Sequence, residues 1–416
     1  MTAVDHAPLQ RRTLVTLIAS VGPAGMGMAG GFAATTLASK EIVDNEGLAT
    51  LAATMISIGG ALAAVPLSRY MARRGRRPGL RVGWTIAAVG ALLAVAAVET
   101  SFYPLLVAGT LGIGVGNGTN LAARYAAADL AEEGRRARAI GVLVWASSIG
   151  SVLGPTVALG ATEPPAEWLG FEPLSGPYLM GIVVFAVAAF VAETFLRPDP
   201  LLTATGGDGA TAPERPSLRE SFKKIATNRL AVIAVGAMAV GQGVMVAIMT
   251  VTPLHMEDGD HETRIIGFVI SVHIIGMYFF SPIVGWLVDR LPSGLIVATA
   301  GVTLFLGGEL ASHTDAEDRL GVFVGLLLIG VGWSFAMISG SALLTGAFPP
   351  HERAAIQGAA DFTMTASGAA AGLASGVIVS LSSYHSLSHW AGVTALALVA
   401  AALYPVVTRV RSPTSV

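Results

Sequence analysis

Long apolar runs alternate with short polar ones along the whole chain. A bilayer crossing takes about 20 mostly apolar residues. About twelve runs reach that length, near 14–37, 48–68, 79–98, 103–124, 139–160, 177–196, 230–252, 265–288, 294–311, 319–345, 354–381 and 389–408. Each predicts a membrane-spanning helix. The longest polar stretch falls between the sixth and seventh runs. It contains TATGGDGATAPERPSLRESFKK, rich in Gly, Thr and Pro, and reads as a flexible linker. The expected architecture is an all-α integral membrane protein with 12 transmembrane helices, arranged as two pseudo-symmetric six-helix halves. These halves span residues 1–196 and 230–416 and are joined by a linker over 197–229.

Composition supports this reading. The chain is 53% hydrophobic and only 12% charged, whereas soluble domains carry about 25% charged residues. Its 50 glycines suit membrane helices, where small residues let backbones approach closely. A net charge of −2 gives no nucleic-acid footprint. The absence of cysteine excludes disulfide, zinc–thiolate and iron–sulfur chemistry. The polar start, MTAVDHAPLQRR, is followed by no signal-peptide cleavage pattern, so the first apolar run is expected to stay in the membrane.

Charge between the runs sets an orientation. Arg69, Arg73, Arg74, Arg76, Arg77 and Arg81 follow the second run, Arg135, Arg136 and Arg138 follow the fourth, and Arg215, Arg219, Lys223 and Lys224 lie in the linker. The alternate loops are acidic, with Glu163, Glu167 and Glu172, then Glu257, Asp258, Asp260 and Glu262, then Asp315, Glu317 and Asp318. Basic loops stay in the cytoplasm. With an even number of spans, both termini are expected there too, in an inner (cytoplasmic) membrane.

The halves repeat. A shift of 217 residues lays SRYMARRG at 68–75 on GWLVDRLP at 285–292, Arg136 on Arg353 and Gly141 on Gly358. Two parallel six-helix repeats are the pattern of a rocking transporter. These residues resemble the major facilitator superfamily, whose loop between helices two and three reads Gly-x-x-x-Asp-Arg-x-Gly-Arg-Arg. SRYMARRGRRP keeps Arg73, Gly75, Arg76 and Arg77, but has Ser68 and Ala72 in place of Gly and Asp. The second copy keeps Gly285, Asp289 and Arg290. The resemblance therefore implies a gating charge cluster that rests more on the second half. Gly141, Gly150, Gly154 and Pro155 in the fifth run resemble the family's Gly-x8-Gly-x3-Gly-Pro pattern, which is associated with exporters.

A narrower resemblance rests on four residues. Met245 and Met249 in the seventh run, with His273 and Met277 in the eighth, look like the MxxxM and HxxxM pairs of CcoA-like copper importers (the CalT group), which include relatives linked to riboflavin uptake. Residues four apart share a helix face. Met238, Met245, Met249 and Met256 are spaced 7, 4 and 7, so all four point within roughly 20° of one line. A helix end at Pro253 would cut Met256 off from that stripe. Met245 and His273 would lie roughly 11 Å below the outer end. If the two faces meet, three sulfurs and an imidazole surround one small site. Such ligands suit Cu(I) and need no ionised group in hydrocarbon. The alternative is that the methionines simply fill the core and His273 is a neutral, hydrogen-bonded interhelical histidine. His255, with Met238 and Met256, is a candidate for the path in or out. His255, His261, His313, His385 and His389 fall in expected outer loops and are candidates for metal capture, against a reading as solvated loop residues.

Other candidates are weaker. Asn117 and Asn120 lie on the fourth helix, which lines the cavity of the resembled fold; they would bind a polar substrate or hydrogen-bond between helices. Asp361 would carry a coupling proton or pair with an arginine such as Arg353. Arg124, Glu193, Glu309, Trp145 and Trp333 read as structural or solvated. No Gly-x4-Gly-Lys-Ser/Thr loop occurs and no nucleophile–base set stands out, so no enzyme is expected. The sequence points to a monomeric secondary transporter working by alternating access, with the bilayer as its surroundings and a metal ion or small molecule as substrate. Copper uptake is the first reading, proton-coupled efflux of drug-like or hydrophobic molecules the second, and riboflavin-like uptake the third. No permanently bound cofactor is expected.

Overall fold

A computed structural model describes residues 7–43, 46–206, 216–259, 263–315 and 318–410. All twelve apolar runs are helical: α1 (Ala7–Val43), α2 (Glu46–Arg74), α3 (Arg76–Thr100), α4 (Tyr103–Ala128), α5 (Arg136–Ala161), α6 (Gly176–Phe195), α7 (Arg229–Asp258), α8 (Thr263–Tyr278, resumed as Ser281–Arg290), α9 (Ser293–Ser312), α10 (Arg319–Ala347), α11 (Pro350–Leu381) and α12 (Tyr384–Val410). No strand occurs among the described residues. In hydrocarbon a helix alone satisfies its own backbone, and among the described residues ten candidate spans are long and apolar enough to cross a bilayer. Large apolar side chains face outward along these helices, among them Leu92, Val183, Phe190 and Leu373, as expected of a surface bathed in lipid rather than water.

The helices run through their prolines. Pro23, Pro66 and Pro253 lie inside α1, α2 and α7. Pro253 therefore does not end α7, and Met256 remains on it. Membrane helices tolerate such breaks because neighbouring groups re-satisfy the freed backbone. The linker is also more ordered than its composition suggests. It holds short helices over Pro200–Ala204 and Leu218–Thr227. The second begins with a reciprocal cap: Ser217 N donates to Glu220 Oε2 (2.6 Å) and Glu220 N donates to Ser217 Oγ (3.3 Å), a capping box. Arg215 lies outside the described residues, as do Asp260, His261, Glu262 and Glu317.

The chain forms two compact units. The first comprises Met1–Glu132, Leu143–Phe222 and Phe348–Phe362; the second comprises Glu133–Val142, Lys223–Ala347 and Thr363–Val416. Glycines set the spacing inside each. In the first, a Cβ on Gly109 would lie 2.7 Å from Gly90 O, so α3 and α4 meet backbone to backbone. A Cβ on Gly154 would lie 2.8 Å from Met26 O and 2.9 Å from Ala29 Cβ, and one on Gly150 would strike Gly22 O and lie 2.7 Å from Met26 N. The glycine pattern of α5 thus lets it lie against α1. The side chain of Pro155 lies outside the described residues. In the second unit a Cβ on Gly308 would lie 2.8 Å from Gly392 Cα, joining α9 to α12.

Overpacking a tight contact typically costs about 1–3 kcal/mol. Gly154→Leu is therefore expected to lower the melting temperature and yield of detergent-purified protein, while Phe190→Leu, on the lipid-facing surface, changes neither. Equal melting curves for Gly154→Leu and wild type would contradict the close α1–α5 contact.

Candidate functional site

Within the second unit the four proposed metal ligands form two pairs. Met245 and Met249 lie one turn apart on α7, and His273 and Met277 one turn apart on α8. Both helices pack on α10 and touch each other only lightly. Met245 and Met277 are buried and Met249 is half-buried. Met238 is fully buried against α10, where a Cβ on Gly340 would meet its side chain and its Sδ lies 4.0 Å from Ser341 Oγ. It is a packing residue there. Met256 is also fully buried.

His273 is the distinctive member. It is only 1% exposed. Its Nδ1 lies 2.8 Å from the carbonyl oxygen of Leu326 on α10. A carbonyl only accepts, so Nδ1 carries the proton and donates. The other nitrogen, Nε2, then presents a lone pair, and it has no hydrogen-bond partner, methionine sulfur included. A backbone acceptor on one ring nitrogen fixes the tautomer and orientation of a ligating histidine. The close approach of α8 to α10 comes from glycine: a Cβ on Gly330 would lie 2.9 Å from Met277 N, and one on Gly276 would lie 2.6 Å from Leu327 O. Nearby in the same unit, Trp333 Nε1 donates to Gln242 Oε1 (2.7 Å) and Tyr278 packs edge-on to Trp333. Gln242 carried no signal in the sequence beyond being a lone polar residue in an apolar run.

The second copy of the loop motif meets α5. A Cβ on Gly285 would lie 2.5 Å from Ala137 O. Asp289 accepts from the backbone N–H groups of Ala137 (3.0 Å) and Arg138 (2.8 Å). It is an anion at the N-terminus of α5, where orphan donors and the helix dipole favour negative charge. Arg290 lies over the Trp286 ring at 4.4 Å.

In the first unit the departures from the motif have a structural counterpart. Ser68 lies against Gly358, a position a Cβ would fill. Ala72 packs with Leu201 and Ala354 in a small apolar cluster. Gly75 has φ of 98° and adjoins the carboxylate of Asp199, which accepts from Arg77 N (2.7 Å); a side chain there would be strained and obstructed. Arg73 is exposed.

Buried charge is present in the first unit as well. Arg76 is fully buried and donates to both oxygens of Asp129 (2.8 and 3.3 Å) and to Gln357 Oε1 (2.6 Å). A second buried cluster joins Arg124 to Asp361 (2.5 Å), with Tyr125 OH donating to the same carboxylate oxygen (3.1 Å). The partner of Asp361 is thus Arg124; Arg353 instead donates through Nε to Phe348 O (3.0 Å). Glu193 pairs with Arg77, Arg81 and Arg197 at 3.3–3.4 Å. Asn117 turns toward Gly60 on α2, and the buried Oδ1 of Asn120 has no hydrogen-bond partner. Trp145 is partly exposed, whereas Trp333 is buried.

Breaking a buried ion pair by removing one partner costs about 3–5 kcal/mol, whereas replacing both with apolar groups is often neutral. Arg124→Met and Asp361→Leu are each expected to destabilise strongly, and the double variant to recover most of the loss in thermal melting. Additive losses would contradict a direct Arg124–Asp361 coupling.

The chain matches the Major Facilitator Superfamily over residues 15–373 and 261–415. It is 34% identical over 394 residues to YddS, an MFS-type transporter of Bacillus subtilis, covering 94% of this chain and 90% of that one. It is 24% identical over 381 residues to the riboflavin transporter RfnT of Brucella anthropi, covering 90% of each. Among solved structures it resembles the human organic anion transporter MFSD10 (TM-score 0.73, 14% identity, 94% of this chain and 99% of that one). It also resembles a bacterial homologue of the iron transporter ferroportin (TM-score 0.73, 14% identity, 94% and 98%). The chain belongs to the Major Facilitator Superfamily: it is a multi-pass membrane protein and a secondary transporter, not an enzyme.

Proposed function

We propose that the protein carries copper across the inner membrane into the cell by alternating access, with both termini in the cytoplasm and one chain as the working unit. His273 carries this reading. An imidazole buried in a membrane bundle, held through Nδ1 and bare at Nε2, has the form of a metal ligand waiting for its ion. Met277 lies one turn away on the same face, and Met245 and Met249 supply a second pair on α7. Thioether and imidazole ligands suit Cu(I) and release it without leaving a charged ligand behind. In two pairs rather than one closed cage, they suit an ion that is handed on. Asp361, buried beside Arg124, is the candidate coupling proton carrier. The charge cluster at Arg76 and the contacts of Asp289 are the candidate gates.

A second reading is favoured by the riboflavin transporter relative, which aligns over nine-tenths of the chain. In that reading a planar, polar substrate would meet the Trp333–Gln242 pair of the second unit, and the methionines would be packing.

Radioactive copper uptake by cells producing wild type or Met245→Leu/His273→Ala protein, at equal membrane abundance, separates the two. The copper reading predicts uptake by wild type and a fall to the level of cells lacking the protein in the variant. Copper uptake unaffected by the double substitution, or riboflavin accumulation by both forms with no copper uptake, would overturn it.

A further inference from the structure

Four of the chain's eight histidines gather at one end of the second unit, around the C-terminus of α9. His313 Nδ1 lies 2.8 Å from Glu309 O. His389 Nδ1 lies 2.7 Å from Glu309 Oε1. His385 Nδ1 lies 2.8 Å from Ser312 O. His255, near the end of α7, packs edge-on to His385 with ring centroids 5.4 Å apart. This is the end nearest the acidic loops, the outer face in the orientation proposed above. Two imidazoles here are held with particular care. His255 is stacked on Tyr384, with centroids 3.9 Å apart and planes 11° apart, and the Tyr384 hydroxyl is fixed by Thr252 Oγ1 at 3.1 Å. His385 is anchored through Nδ1 by a backbone carbonyl, which leaves Nε2 with the lone pair, the same arrangement as at His273.

We infer that His255 and His385 form an outer docking site for a soft or borderline metal ion. The spacing fits. With metal–nitrogen bonds of about 2.0 Å, each ring centroid lies about 3 Å from the metal, so centroids 5.4 Å apart fit two imidazoles on one ion at a bent angle of roughly 120°, open to a third ligand. Among the described residues no group of three or more His, Asp or Glu side chains is drawn together to hold an ion. The site is therefore a pair of neutral nitrogen ligands. Such low coordination fits Cu(I) better than an oxygen-seeking cation, and imidazole suits copper. Glu309 and the carbonyl end of α9 add negative potential close by, which concentrates cations at this rim. Met249 lies six residues deeper than His255 on the same helix. The inference deepens the copper reading by supplying the first ligands on the way to His273, but binding at the rim does not require that transport occur.

The test uses the purified full-length protein and Cu(I), kept reduced by ascorbate, in equilibrium dialysis. His255→Phe keeps the stack on Tyr384, and His385→Asn keeps an N–H for the Ser312 carbonyl, so the double variant removes ligands while sparing the packing. Its melting temperature is compared with wild type to confirm the fold. Wild type is expected to bind about two Cu(I) per chain and the rim variant about one. His273→Ala/Met277→Leu protein is expected to bind about one, and the combined variant none. A rim variant that binds as much Cu(I) as wild type would overturn the outer site. A loss confined to the rim variant, with His273→Ala/Met277→Leu protein unchanged, would uphold the outer site and overturn the inner one.

Discussion

A charge or polar group lodged between membrane helices must bring its partner with it, because hydrocarbon supplies none. That constraint organises both units of this transporter. Arg76 is matched to Asp129 and Gln357, and Arg124 to Asp361 and Tyr125. Trp333 reaches Gln242. His273 satisfies one nitrogen on Leu326 and leaves the other bare. His273 Nε2 shares that state with a few other buried atoms, Trp84 Nε1 and Asn120 Oδ1 among them, but on an imidazole it leaves a lone pair able to take a metal. An unsatisfied buried polar atom is costly, and a role as a ligand gives that cost a reason.

Close backbone contact is the means by which the pairs are held. Glycine at α3–α4, α1–α5, α8–α10 and α9–α12 brings main chains together without intervening side chains. Van der Waals packing then replaces the hydrophobic drive that is missing in lipid. The two copies of the loop motif use this differently. In the second copy Gly285 admits the start of α5, and Asp289 caps it through two backbone N–H groups. In the first copy Ala72 gives an apolar contact with Leu201 and Ala354, and Arg76 finds its acid just past the end of α4. One repeat keeps the acid of the motif, and the other has shifted the charge to Asp129.

Much of the fold was legible because hydrophobic run length is dictated by bilayer thickness. All twelve runs correspond to helices, and the run at 319–345 differs from Arg319–Ala347 only at its end. Pro253 misled because the rule that proline ends helices assumes water as the competing partner. The partner of Asp361 was not legible: Arg124 lies 237 residues away, and charge alone cannot choose between it and Arg353. The Leu326 carbonyl was invisible for a different reason. Every residue has a backbone acceptor, so sequence cannot show which one a histidine will reach. Ser217 and Glu220 did carry a readable capping signature, but the Gly- and Pro-rich composition around them concealed it. The four-residue spacings on α7 and α8 were readable as faces, whereas the packing of both helices on α10 depends on tertiary structure.

The copper reading requires sulfur and imidazole from α7 and α8 to hold the ion in transit. The most direct measurement is X-ray absorption at the copper edge on Cu(I)-loaded His255→Phe/His385→Asn protein, in which only the inner ligands remain. The copper reading predicts a first shell containing both sulfur and nitrogen scatterers, with sulfur lost in Met245→Leu/Met249→Leu/Met277→Leu protein. A shell of nitrogen and oxygen alone, or one unchanged by removal of the three methionines, would contradict it.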